Sequence, residues 1–141
     1  MSHTKRRKSR GTALQILYQM DVARVDIEAA IKLYWSQFDT YGHDGSFADQ
    51  LARGVASSLE SIDRTLEAAS EHWRLDRMSV VDRNLLRLGC YELLASSETP
   101  YRVTLNEAIE LAKLYGNEES PSFVNGVLDR VARDLNMDTK D

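Results

Sequence analysis

The sequence predicts an all-α protein, and three features predict it. Apolar residues recur at i, i+3, i+4 and i+7 in one segment after another, the period of a helix with one buried face. Only two prolines and seven glycines interrupt 141 residues, so long helices are permitted almost everywhere. No segment alternates apolar and polar residues as a half-buried strand does.

The first helix is expected from about Ser9 to Ala23, with a broad apolar face of Ala13, Leu17 and Met20 flanked by Leu14 and Ile16. Asp26 is placed to cap a second helix through Phe38, which carries Ile27, Ala30, Ile31, Tyr34 and Phe38 nearly in line. Asp39 to Gly45 reads as a loop. Ser46 then caps one long helix to about Ala69, striped by Phe47, Leu51, Val55, Leu59, Ile62 and Leu66. Glu71 to Met78 reads as a short helical turn holding Trp73 and Leu75.

Ser79 and Asp82 resemble a capping box, with Asp in place of Glu, at the head of a helix to about Ala95. Val81, Leu85, Leu88 and Gly89 are expected inside it. Ser96 to Val103, with Pro100, is a connection. Thr104-Leu105-Asn106-Glu107 is a full capping box and starts a helix ending near Tyr115, with Gly116 where a left-handed residue commonly closes a helix. Ser120 and Pro121 supply an N-cap and a first-turn proline for the last helix. Val124, Val127, Leu128, Val131 and Leu135 share its inner face. About seven helices with short connections must pack as bundles. The natural division within one domain of 1–141 puts three helices in an N-terminal subdomain, 1–70, and the rest in a C-terminal subdomain, 71–141.

Charge is distributed unevenly. Residues 1–10 carry Lys5, Arg6, Arg7, Lys8 and Arg10 and no acid, while the remainder holds 13 basic and 22 acidic residues. An acidic body repels polyanions, so a nucleic acid must be held at one defined place. The other reading of the arm is a solvated tail. Arginine presents a planar fork of donors that matches phosphate and also stacks on bases. Arg6 and Arg10 share a face if the first helix reaches back to them. Tyr18 lies about 2.2 turns beyond Arg10, where its ring either stacks on an unpaired base or belongs to the core. Five cations suit a short single strand; three or four phosphate contacts give a salt slope of roughly −2 to −3. The first ten residues are expected to carry this binding and to be dispensable for the fold.

Several chemistries lack a constellation. His3, His43 and His72 have no metal-ligand spacing, and Cys90 in an apolar helix reads as a buried, inert thiol. No nucleophile elbow, Walker loop or dinucleotide fingerprint occurs. Glu107 is explained as the capping-box partner and Glu110 as a pair with Lys113. Neither enzyme, metal nor cofactor is expected. No apolar run approaches a membrane span, and Gln15, Gln19, Asp21 and Arg24 interrupt any signal-peptide core, so a cytoplasmic protein is expected. Phe123 stands beside the core stripe of the last helix, either at the edge of the core or facing a partner. Asp82, at a helix start, is either a cap or a partner contact.

Pro100-Tyr101-Arg102-Val103-Thr104-Leu105-Asn106-Glu107-Ala108-Ile109-Glu110-Leu111-Ala112-Lys113 strongly resembles the NusB family, as does Ser122-Phe123-Val124-Asn125-Gly126-Val127-Leu128-Asp129. Arg6-Arg7 with Arg10, then Ala13-Leu14-Gln15 and Leu17-Tyr18, is similar to the same family. The resemblance implies two packed three-helix bundles and a transcription antitermination factor. It implies a heterodimer with NusE, a small-subunit ribosomal protein, that binds single-stranded boxA leader RNA. That heterodimer would join the elongating RNA polymerase with other Nus factors, mainly for ribosomal RNA transcription. By position, Lys5, Arg6, Arg7, Lys8, Arg10 and Tyr18 fall in the RNA-binding region, and Asp82 and Phe123 on the NusE-facing surface. The resemblance also admits a homodimer of the free protein. Lys8 stands where many relatives carry a third arginine, and 68–78 matches poorly, leaving His72, Trp73 and Arg74 as RNA candidates there. The competing readings are a NusB-like domain of ribosomal RNA cytosine methyltransferases and a pure protein-interaction module. The absence of a cofactor-binding βαβ pattern argues against the former.

Overall fold

A computed structural model describes residues 3–37, 45–70, 74–95 and 98–137, with residues 3 and 4 as backbone only. Seven α-helices and one 3-10 turn occur among them, and no strand. They are α1 (His3–Ala23), α2 (Ile27–Gln37), α3 (Ser46–Ser57), α4 (Leu59–Ala69), the turn Leu75–Arg77, α5 (Val80–Ala95), α6 (Tyr101–Tyr115) and α7 (Ser120–Asp134). Phe38, residues 39–44 of the expected loop, Glu71 to Trp73, and Ser96 and Ser97 lie outside the described residues.

The caps explain most boundaries. Asp26 Oδ1 accepts the Ala29 N–H at 2.8 Å, the expected start of α2. Ser79 Oγ accepts the Asp82 N–H at 3.1 Å and opens α5. α1 begins at His3 rather than near Ser9, so the basic cluster lies inside the helix. It closes with Arg24 in the left-handed region at φ 54° while the Val25 N–H bonds the Met20 carbonyl, a Schellman ending without glycine.

Four expectations are corrected. The long third helix is two helices: Ser58 leaves helical geometry at φ −113°, ψ 16°. Gly54, Ser57 and Ser58 are weak helix formers, and the Ser57 hydroxyl bonds back to the Gly54 carbonyl at 3.1 Å. The apolar stripe stays in step across the break, so periodicity conceals it. Ser46 is no cap; Gly45 holds that place, without a side-chain bond. Thr104 does not start α6, because Pro100 caps the helix and Tyr101 to Val103 already form its first turn. Finally, the N–H groups of Glu119 and Ser120 at the head of α7 bond Asn117 Oδ1 at 2.8 and 3.1 Å, so Asn117 does the capping expected of Ser120. Gly116 follows α6 as expected but at φ −93°; glycine is needed there because a Cβ would stand 2.4 Å from Ser120 Oγ.

The break lets α4 leave α3 and pack chiefly against α5 and α7. α5 is the central helix, touching α1, α3, α4, α6 and α7. It is accordingly buried on several sides, through Leu85, Leu86, Leu88, Cys90 and Leu93. Val81, expected inside, is only partly buried at its first turn. Of the last stripe, Val124, Val127, Leu128 and Val131 are buried, and Leu135 lies beyond the helix end and is exposed. One continuous apolar core results.

α5 and α7 touch at Gly89, where a Cβ would lie 2.6 Å from Leu128 Cδ1. Leu128 is fully buried and has nowhere to move. Gly89→Ala is therefore expected to destabilise by about 1 kcal/mol net, overpacking outweighing alanine's better helix propensity. Urea unfolding checks this; an unchanged or higher midpoint would mean the two helices separate freely.

Candidate nucleic-acid interface

Helical geometry sorts the five arm cations into two sets. Lys5, Arg6 and Lys8 are exposed. Arg6 also lies over the Phe47 ring, 5.5 Å from its centroid, which fixes the guanidinium against α3. Arg7 and Arg10 turn toward the body. Arg10 Nε donates to Glu92 Oε1 of α5 at 2.8 Å, with both side chains only 11% exposed. Arg7 Nε donates to Glu107 Oε2 of α6 at 3.0 Å, and Glu107 is buried. Glu107 is thus an ion-pair partner for the arm, not the capping residue expected; α6 already has its start at Tyr101.

These pairs have electrostatic consequences. Burial pushes the Glu92 carboxyl above its usual range, against the opposing charge and hydrogen bond of Arg10. The hydrogen bond from Arg7 to Glu107, helped by the Glu107 charge, raises the guanidinium's already high value. Arg6 and Arg10 share one face, as their spacing requires, and line a groove of about 310 Å³ with Phe47, Tyr91, Glu92 and Thr104. Tyr18 stays at the surface, 42% exposed, two turns along α1. A core position for its ring is thereby ruled out.

A second polar cluster was not visible in the sequence. Asp21 of α1 accepts from Arg83 Nε at 2.8 Å, Asn84 Nδ2 at 2.9 Å and Arg87 Nη1 at 3.2 Å. Arg87 also reaches Asp63 of α4 through Nε and Nη2, both at 2.9 Å. Burial pushes the Asp21 carboxyl up, but the bonds from Arg83 and Asn84 and the two arginine charges outweigh it and hold it below the usual value. The available signal was the group of polar side chains at Arg83, Asn84 and Arg87 among the leucines of one helix. Arg74, one of the RNA candidates, is exposed beside this cluster and pairs with Asp76 at 3.3 Å. His72 and Trp73 lie outside the described residues.

Asp82 and Phe123 meet at the heads of α5 and α7. Asp82 Oδ1 accepts the Ser120 hydroxyl at 2.6 Å, one turn before Phe123. The Asp82 carboxylate therefore staples two helix starts instead of closing its own capping box. Phe123 is half-buried, its ring packed against the core edge. Burial pushes the Cys90 thiol up to about 12, and no group of three or more metal-ligating side chains occurs among the described residues.

The NusB family model matches residues 7–133, nearly the whole chain. The chain belongs to the NusB family. A relative named transcription antitermination protein NusB, from Anaeromyxobacter dehalogenans strain 2CP-1, is 48% identical over 133 residues, 94% of this chain and 93% of its own. The fold is similar to T. maritima NusB, with a TM-score of 0.82 and 41% identity over 92% of this chain and 91% of that one. It is also similar to a crystallised complex of the antitermination factors NusB and NusE with double-stranded RNA. There the TM-score is 0.79 at 29% identity, covering 94% of this chain and 99% of that one. The all-helical NusB fold expected from the sequence is therefore present. No described helix is long and apolar enough to cross a membrane.

Proposed function

We propose that this protein is a transcription antitermination factor that binds boxA leader RNA together with NusE. The complex joins the elongating RNA polymerase with other Nus factors, mainly on ribosomal RNA genes. The protein works in the cytoplasm as a binding adaptor, not an enzyme. The observation that carries this reading is the exposed cationic head of α1, Lys5, Arg6 and Lys8, on a body of opposite net charge. Membership of the NusB family and the likeness to a protein crystallised with NusE and RNA support it. Arg7 and Arg10 complete the RNA face from behind, holding α1 to α5 and α6, and Tyr18 adds an exposed ring. Residues 1–70 then carry the RNA face and 71–141 the NusE face around Asp82 and Phe123, within one domain.

Titration of a single-stranded boxA oligonucleotide with the protein, with and without NusE, tests the reading. Binding is expected to be weak alone and at least about tenfold tighter with NusE, since a few phosphate contacts give little affinity by themselves. Phe123→Ala is expected to weaken NusE binding about tenfold, the effect of truncating an aromatic anchor. Failure of the NusE mixture to retain the RNA would remove the antitermination reading. Unchanged NusE affinity in the variant would remove Phe123 from the partner face alone.

A further inference from the structure

A negative charge is buried against the cationic head. Glu92 of α5 lines the same groove as Arg6 and Arg10, and its side chain is nearly closed off from water. Arg10 holds it along one edge: Nε donates to Oε1 at 2.8 Å and to Oε2 at 3.2 Å. Among the described residues the hydrogen bonds of Arg10 run through Nε alone, which leaves the other edge of its guanidinium to the groove. One cation thus stands between a buried carboxylate and the place where a phosphate would lie.

We propose that ionised Glu92 opposes RNA binding at the head of α1, and that the bound strand draws a proton onto it. This regulation rests on the RNA-binding reading above and deepens it. A phosphate held by Arg6 and the outer edge of Arg10 lies about 7 Å from the Glu92 carboxylate, one guanidinium and two hydrogen bonds away. At that distance and an effective dielectric of ~20, two negative charges repel enough to cost on the order of tenfold in affinity. Salt screens this little, because the carboxylate is shielded from solvent.

The surroundings of Glu92 set the sign. Burial raises its proton affinity most, and the Glu107 charge from α6 adds to that; Arg10 and Arg6 from α1 lower it. Burial prevails, so the carboxyl already stands above its usual range before RNA arrives. α3 brings only Phe47 and Leu51 to the groove, and Glu98 is its one other acid. A phosphate adds a second negative charge beside that of Glu107 and raises the carboxyl further. The bound state therefore holds the proton more tightly than the free one. By linkage RNA affinity rises as pH falls, until Glu92 is protonated in both states.

Affinity for a boxA oligonucleotide, measured with NusE at pH 7.5 and pH 5.5, tests this. The unaltered protein is expected to bind about tenfold tighter at the lower pH. Glu92→Gln, which keeps the shape and an acceptor for Arg10, should bind about tenfold tighter than the unaltered protein at pH 7.5 and equally at pH 5.5. Glu98→Gln should leave the pH dependence in place, because an exposed charge is screened. Calorimetry in two buffers of different ionisation enthalpy needs no variant, and should show proton uptake on binding by the unaltered protein. A flat pH profile without proton uptake, on RNA that is still bound, overturns the linkage and leaves RNA binding standing. The same profile in Glu92→Gln overturns it by placing the proton elsewhere. Weaker binding by Glu92→Gln at pH 7.5 also overturns it, since the carboxylate would then only position Arg10. No binding of RNA at either pH removes both readings together.

Discussion

Arg10→Ala is expected to destabilise the fold by about 3 kcal/mol at neutral pH, the cost of leaving a buried charge without its partner. Glu92 lies inside the contact between α1 and α5, and Arg10 is its ion-pair partner, with both nearly closed off from water. The sign of the pH dependence follows from burial. The Glu92 carboxyl is held above its unfolded value, so the folded state binds its proton more tightly than the unfolded chain does. Its ionisation therefore subtracts stability as pH rises, and the penalty is relieved as pH falls through the folded value. Without Arg10 the carboxyl moves higher still. The gap between the variant and the unaltered protein should be widest near pH 7.5 and should narrow toward pH 5.5. Urea unfolding at both values checks this, and a gap that is small or constant would place Glu92 in contact with water. The paired change Arg10→Met with Glu92→Leu removes both charges and is expected to recover most of the loss.

The same geometry reverses an expectation about the arm. Removing residues 1–10 would delete the first two turns of α1 and the partners of both Glu92 and Glu107. Such a truncation would lower stability as well as RNA affinity, so it cannot report on binding alone. Lys5, Arg6 and Lys8 are the positions that separate the two effects.

Replacing Lys5, Arg6 and Lys8 together by Ala is expected to lower RNA affinity on the order of 100-fold at 0.1 M salt. That figure follows from three phosphate contacts, each giving a slope of about −0.7 for single strands. Stability should change little, because all three side chains are exposed and surface charges contribute little to folding. Arg6 packs on the Phe47 ring, a cation–π contact of small weight at an exposed position. RNA titration and urea unfolding on the same sample distinguish this pattern, binding lost with fold retained, from that of Arg10→Ala.

The helices were legible because each buries one apolar stripe, and the α2 and α5 starts because Asp26 and Ser79 are strong caps. Where tertiary packing overrides local signals, the sequence misleads. The capping pattern at Thr104 to Glu107 is sound locally, yet Pro100 starts α6 a turn earlier and Glu107 is drawn inward by Arg7. The α3–α4 break passed unseen because Val55, Leu59, Ile62 and Leu66 keep one period through it. Part of the arm's division was readable. Extending the buried face of Ala13, Leu14 and Leu17 back one turn reaches Arg10, which marks it as an inward position. The identity of its partner was not readable, since Glu92 is 82 residues away.

The most direct test of the RNA surface is the salt dependence of boxA affinity for the NusE complex, measured on the unaltered protein and on the Lys5, Arg6 and Lys8 triple variant. The unaltered protein should be steeper than the variant by about 2 in log affinity against log salt. Parallel lines for the two proteins would contradict it, and would put the phosphates somewhere other than the head of α1.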